Sequence, residues 1–190
     1  MINDCEYNDV KLPSKVYQRI EERVASLYVE QNINKVPINP FDIADRRGYI
    51  VKPFSDLNEQ ARLRLFTKKL DGTSYFDPIL RKFVIYYDNT QIIERIRFTV
   101  MHEIGHIDLG HRQESDLARK MADYYAAYSL APSPIIHICS CEDYIDVANR
   151  FNVSHSCADN CFRRYENWFN YGGKAYKEYE LRMLNLFQYN

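Results

Sequence analysis

Met101-His-Glu-Ile-Gly-His-Ile-Asp-Leu-Gly-His111 is the stretch on which the reading of this 190-residue chain turns. Residues four apart share a face of an α-helix, so His102 and His106 can turn both imidazoles toward one metal ion. Glu103 stands beside that pair, within reach of a water at the same ion. Two His ligands with a neighbouring carboxylate base form the working core of many zinc peptidases. The competing account makes both His surface residues of an amphipathic helix, and it leaves Glu103 and Gly105 as accidents. A Gly inside a helix costs about 1 kcal/mol against Ala, so Gly105 points to close packing or access.

The surroundings predict a long helix. Ile93, Ile96, Val100, Ile104 and Ile107 recur at spacings of three and four, which marks one buried stripe. Asn89 or Thr90 is expected to cap its start, Glu94 suits the positive end, and Gly110 is a stop. Upstream, Lys82 to Tyr87 is rich in strand formers. A strand there, leading into the helix, is expected to form a cleft's edge and to pair with bound peptide by strand addition. Downstream, Ser115 caps a second helix rich in Ala and Tyr that runs to about Leu130, and Pro132-Ser133-Pro134 then breaks the chain.

Farther out, residues 14–31 repeat Val16, Ile20, Val24, Leu27 and Tyr28 at helical spacing. Residues 36–40 form a Pro-rich break before a short helix over 41–47, which ends at Gly48. Tyr49-Ile50-Val51 reads as a strand closed by Pro53, residues 58–66 as a short helix, and Asp71-Gly72 as a turn. Residues 142–151 and 154–170 follow two more helical patterns, joined at Asn152-Val153 with Ser154 as cap. After Gly172-Gly173 a last, Tyr-rich helix runs to about 187.

Composition narrows the function classes. The net charge of −1 gives no general pull toward nucleic acid or anionic lipid. No apolar run approaches the roughly 20 residues of a membrane span. Residues 1–6 lack the basic start and apolar centre of a signal peptide, so a cytoplasmic protein is expected. The five Cys are an odd count in such a setting, which predicts reduced thiols. Cys139 and Cys141, with Cys157 and Cys161 and the nearby His137 and His155, suggest a second zinc site, but one residue between the first pair is tight. Packing as small apolar side chains is the preferred reading. Residues 142–170 have the outline of a helix-turn-helix. Their second helix opens His155-Ser156-Cys157-Ala158-Asp159 rather than with base-reading Lys, Arg or Asn, so no direct contact with nucleic acid is expected.

The run from Met101 to His111, followed by Ala122-Asp-Tyr-Tyr-Ala-Ala-Tyr-Ser-Leu-Ala-Pro132, resembles the ImmA/IrrE family of metallo-endopeptidases of mobile elements and phages. The stretch Phe151-Asn-Val-Ser154 is similar to that family's helical tail. The resemblance implies an α+β fold: mostly helical, with a small antiparallel sheet next to a zincin-type two-helix metal core. It implies a metallopeptidase domain over 1–134 and a helical extension over 135–190 packed on it. It also implies a Zn²⁺ cofactor held by His102, His106 and an acidic residue of the second helix, with Glu103 as the base that activates water. Where the family usually carries that third ligand, this chain has Arg119 and Met121. Asp123 shares a face with position 119 and is the first candidate; Asp116 and Glu114 are the alternatives. Asp123 has a second reading, as a group orienting His102 or His106 through the distal ring nitrogen. His111 invites comparison with a third His ligand of the metzincin type, but Gly110 and His111 are each one residue out of register, and a His at a helix end beside the dipole is the simpler account.

The function implied is a zinc-dependent endopeptidase that cleaves a cytoplasmic regulatory protein, a helix-turn-helix repressor of a mobile element or phage. The alternative is an inactive relative that binds or sequesters a repressor or senses a ligand. Neither reading involves a membrane.

Overall fold

The computed structural model describes residues 11–113, 115–172 and 175–187, and the fold they form is α+β. Two compact units divide the chain, one from residues 1–38 with 127–190 and the other from residues 39–126. The boundary near 126 lies within a helix, α5 (Asp116–Leu130), that begins in the second unit and ends in the first.

The discontinuous unit is helical. It holds α1 (Ser14–Glu30), the end of α5, α6 (Ser133–Ile138), α7 (Tyr144–Phe151), α8 (His155–Tyr171) and α9 (Glu178–Asn185). The helical spacing along α1 buries Ile20, Val24, Leu27 and Tyr28, as expected. Tyr28 is fully buried and its hydroxyl donates to the Ser129 carbonyl at 2.8 Å, which keeps a large apolar ring from stranding a polar tip. Tyr179 of α9 donates to Glu21 of α1 at 2.6 Å, and the buried Glu180 carboxylate accepts from Trp168 Nε1 at 2.8 Å. Pro132-Ser133-Pro134 starts a helix here rather than breaking the chain. Pro132 occupies the N-cap and Pro134 the first turn, where a missing N–H costs nothing. Ser154 caps α8 by accepting from the Cys157 amide, and Asn152 takes the left-handed conformation that ends α7. Cys139, Cys141, Cys157 and Cys161 are free thiols. Cys161 is buried against the Ala127 carbonyl, and burial, with Cys139 beside it, pushes Cys141 up to about 11.

The other unit contains α2 (Pro40–Arg46), β1 (Ile50–Pro53), α3 (Glu59–Thr67), β2 (Gly72–Asp77), β3 (Lys82–Tyr87), α4 (Ile93–Asp108) and the start of α5. Its sheet corrects two expectations. The strand order is β1-β3-β2, with β1 parallel to β3 and β2 antiparallel to it, so the sheet is mixed rather than antiparallel. Because β3 pairs on both sides, it has no free edge for a peptide; β2 is the outer strand on that side. Residues 72–77, Gly-Thr-Ser-Tyr-Phe-Asp, lack the apolar alternation that marks a strand, and Gly72 opens β2 instead of turning the chain. The residue is glycine because β2 runs close to α4: a Cβ there would lie 2.5 Å from Thr99 Cγ2 and 3.2 Å from Glu103 Oε1.

The cap of α4 also differs. Ile92 is the N-cap and makes no side-chain bond, while Asp88, not Asn89 or Thr90, organises the approach by accepting from the Thr90 amide and hydroxyl. The buried face of α4 centres on Val100, Met101 and Ile104, with Ile93 53% exposed at the end of the expected stripe. Gly105 serves packing. A Cβ at that position would meet ring atoms of the fully buried Tyr125 at 2.9 and 3.1 Å and its Cβ at 3.2 Å, so α5 approaches α4 only because the side chain is absent. Gly105→Ala gains about 1 kcal/mol of helix propensity and meets an overpacking cost of about 1–3 kcal/mol. The rigid ring decides the sign, and net destabilisation is expected in denaturant unfolding; a more stable variant would contradict this account of Gly105.

No helix among the described residues is long and apolar enough to cross a membrane.

Candidate metal centre

Helix geometry places His102 and His106 on one face of α4, with His106 buried and His102 half-buried. Their Nε2 atoms face each other at 3.0 Å. The opposite nitrogen of each ring is engaged. His102 Nδ1 lies 2.8 Å from Asp123 Oδ1, and His106 Nδ1 lies 3.0 Å from His111 Nδ1. Glu103, 7% exposed, accepts from the Ser74 hydroxyl at 2.7 Å. Burial, followed by the neighbouring His102 and His111, pulls His106 down to about 3, so its ring is neutral at pH 7 and in the form that ligates metals.

Sequence reasoning assigned His111 to the helix dipole. The backbone shows why it belongs to the centre. Gly110 takes φ +68° after the last turn, the Gly110 amide donates to the Ile107 carbonyl at 3.1 Å, and the His111 amide donates to the His106 carbonyl at 3.0 Å. This double bond pattern is a Schellman cap, which sets the second residue past the helix end over the third from its end. Here those two residues are His111 and His106. The signal was present in the Gly110 stop, since the residue after a left-handed Gly lands there. Ser74 was missed because β2 was missed.

The C-terminal end of α4 carries an acid, Asp108, where the helix dipole disfavours one. Arg47 offsets it at 2.5 Å, and the Tyr125 hydroxyl donates to its other oxygen. Arg47 and Asp108 side chains are only 10% and 4% exposed. Burial alone would lower the Arg47 pKa; Asp108 reverses the effect and holds it above its usual value.

Asp123 therefore sits on the distal nitrogen of His102, the second of the two positions considered for it. Asp116 is exposed in the first turn of α5, and Glu114 lies outside the described residues. Among the described residues, no set of three His, Cys, Asp or Glu side chains converges on one point. The donor chemistry fits a borderline divalent ion all the same. Two imidazole nitrogens aimed at each other, each held by a partner behind it, present a pair of soft-to-borderline donors. Zinc–nitrogen bonds of about 2.1 Å at a tetrahedral angle separate two nitrogens by about 3.4 Å. The observed 3.0 Å is a small ring rotation away from that.

Neither a scan of protein-family models nor a search of curated proteins matches this chain.

Proposed function

We propose that the protein is a zinc-dependent endopeptidase acting in the cytoplasm on a regulatory protein, a helix-turn-helix repressor of a mobile element or phage, as the resemblance to ImmA/IrrE peptidases implies. The observation that carries the reading is the pair of converging Nε2 atoms on α4 with a buried carboxylate between them in sequence. His102, His106 and Asp123 are the residues assigned to the metal, Asp123 either binding it or fixing His102 from behind. Zinc held there supplies Lewis-acid polarisation of a peptide carbonyl and acidifies water to a pKa of about 7. Glu103 takes a proton from the attacking water and returns it to the departing amine. Ser74 keeps one carboxylate oxygen fixed while it does so. The outer strand β2, beside Glu103, is the edge on which an extended substrate would add.

Incubating the zinc-loaded protein with such a repressor, followed by mass spectrometry, is expected to yield two fragments from one internal cut. A strong chelator should stop the reaction and added zinc restore it. Cleavage that persists in chelator would count against the metal role.

A second reading is a binder that has given up catalysis. It is favoured by Asp123 facing the far side of His102 and by Arg119, whose charge acts on His106 from the helix where the family carries an acid. Such a protein would hold the repressor intact and show zinc at well below one ion per chain.

A further inference from the structure

Buried faces hold α2 and α4 in place; α3 has none. Not one of its nine residues is buried, and an isolated helix of that length is marginal in water. Its ends hold it instead. At the start, Asn58 accepts from the Ala61 amide at 2.8 Å. At the other end the Lys69 and Leu70 amides donate to the Phe66 and Leu65 carbonyls, at 2.9 and 3.2 Å, in a Schellman cap. The outer side is apolar. Leu63 is 64% exposed, and Phe66, resting on the buried Phe54, is 42% exposed.

Positive charge surrounds those two side chains. Between residues 57 and 70 the chain carries Arg62, Arg64, Lys68 and Lys69 against a single acid, Glu59, although the whole protein has a net charge of −1. None of the four cations takes a carboxylate partner among the described residues. Lys69 is the most informative of them. It holds the left-handed position of the cap at φ +52°, where a Cβ is a steric burden and glycine is the usual occupant. A lysine therefore stands where glycine caps more easily, with no acid of the described residues to hold its ammonium.

We propose that α3 and its cap form a docking site for an acidic, apolar segment of a partner protein. Leu63 and Phe66 supply the apolar contact, and Arg64, Lys68 and Lys69 supply the charge that selects the partner. An anionic bilayer is the weaker match, since two apolar side chains give little area to bury in it. Lys69 lies three residues before Gly72, about 10 Å of chain at most, so the site adjoins the start of β2. Under the peptidase reading, the acidic segment flanks the stretch that adds to that strand. Docking itself requires neither zinc nor catalysis and stands apart from that reading.

Fluorescence anisotropy on the full chain in excess chelator tests it. The probe is a labelled peptide repeating Glu-Glu-Leu-Leu, with one control that has Lys in place of Glu and another that has Ser in place of Leu. Saturable binding of the first alone is expected, weakening as salt is raised. Lys68→Glu together with Lys69→Glu should weaken it roughly 10-fold or more, because like charges then meet. Lys69→Gly separates docking from folding. Its thermal midpoint should equal or exceed the parent's, while affinity falls by about two- to fivefold, the range of one exposed ion pair. No binding of the acidic peptide, equal binding of either control, or unchanged affinity in the double variant overturns the proposal. Phosphatidylserine vesicles that bind the chain through the same lysines, with no peptide binding, would give α3 to a membrane instead.

Discussion

Glu103→Gln is expected to retain the fold and bound zinc while cleavage slows by about 10²–10⁴-fold, the usual contribution of a general acid–base group. The amide matches the carboxylate in volume, and its oxygen still accepts from Ser74 at the place where Glu103 now does. Packing around Thr99 and Gly72 is therefore undisturbed. What disappears is the capacity to take a proton from water and hand it on. Rates and zinc content should be measured on the same preparation, so that lost metal is not read as lost chemistry. Undiminished cleavage would remove Glu103 from the mechanism. Loss of zinc along with activity would assign it a structural part instead.

Arg47→Met is expected to destabilise residues 39–126 by about 3–5 kcal/mol, because it leaves the Asp108 carboxylate buried without its cation. The Tyr125 hydroxyl still donates to Asp108, which softens the loss but leaves a net charge in place at the wrong end of a helix dipole. The discriminating comparison is a variant that also carries Asp108→Leu and Tyr125→Phe. Removing the whole polar set together should cost much less than removing Arg47 alone, since no charge or hydroxyl is then stranded. Amide exchange along α4 reads this out within the unit concerned. If the triple variant exchanges as fast as Arg47→Met, desolvation of Asp108 is not what the arginine relieves.

The parts of the fold that announce themselves in the sequence are those with a strong period or a strong stop. The 3.6-residue repeat of α1, the five strand formers of β3, and the Ser115 and Ser154 caps all lie where their local chemistry predicts. β2 escaped because its residues are chosen by contact with α4, Gly72 for closeness and Ser74 for Glu103, and not by strand preference. Pro132-Ser133-Pro134 reads as a break but opens a helix, since proline both ends one helix and starts the next. The α4 stripe was misplaced by its outer residues, because the helix is covered on several sides and its burial follows Val100, Met101 and Ile104.

At the centre, the helical repeat sufficed to bring His102 and His106 together, since their spacing is local. The partners behind them were harder to read. His111 reaches His106 through a cap whose geometry depends on one left-handed glycine, and Asp123 meets His102 only through the packing of α5 on Gly105.

Zinc content of the purified chain, measured with stoichiometric metal supplied and compared with a His102→Ala, His106→Ala variant, tests the central claim most directly. One ion per chain in the unaltered protein and none in the double variant is the expected result. No bound zinc in the first, or the same amount in both, would contradict it.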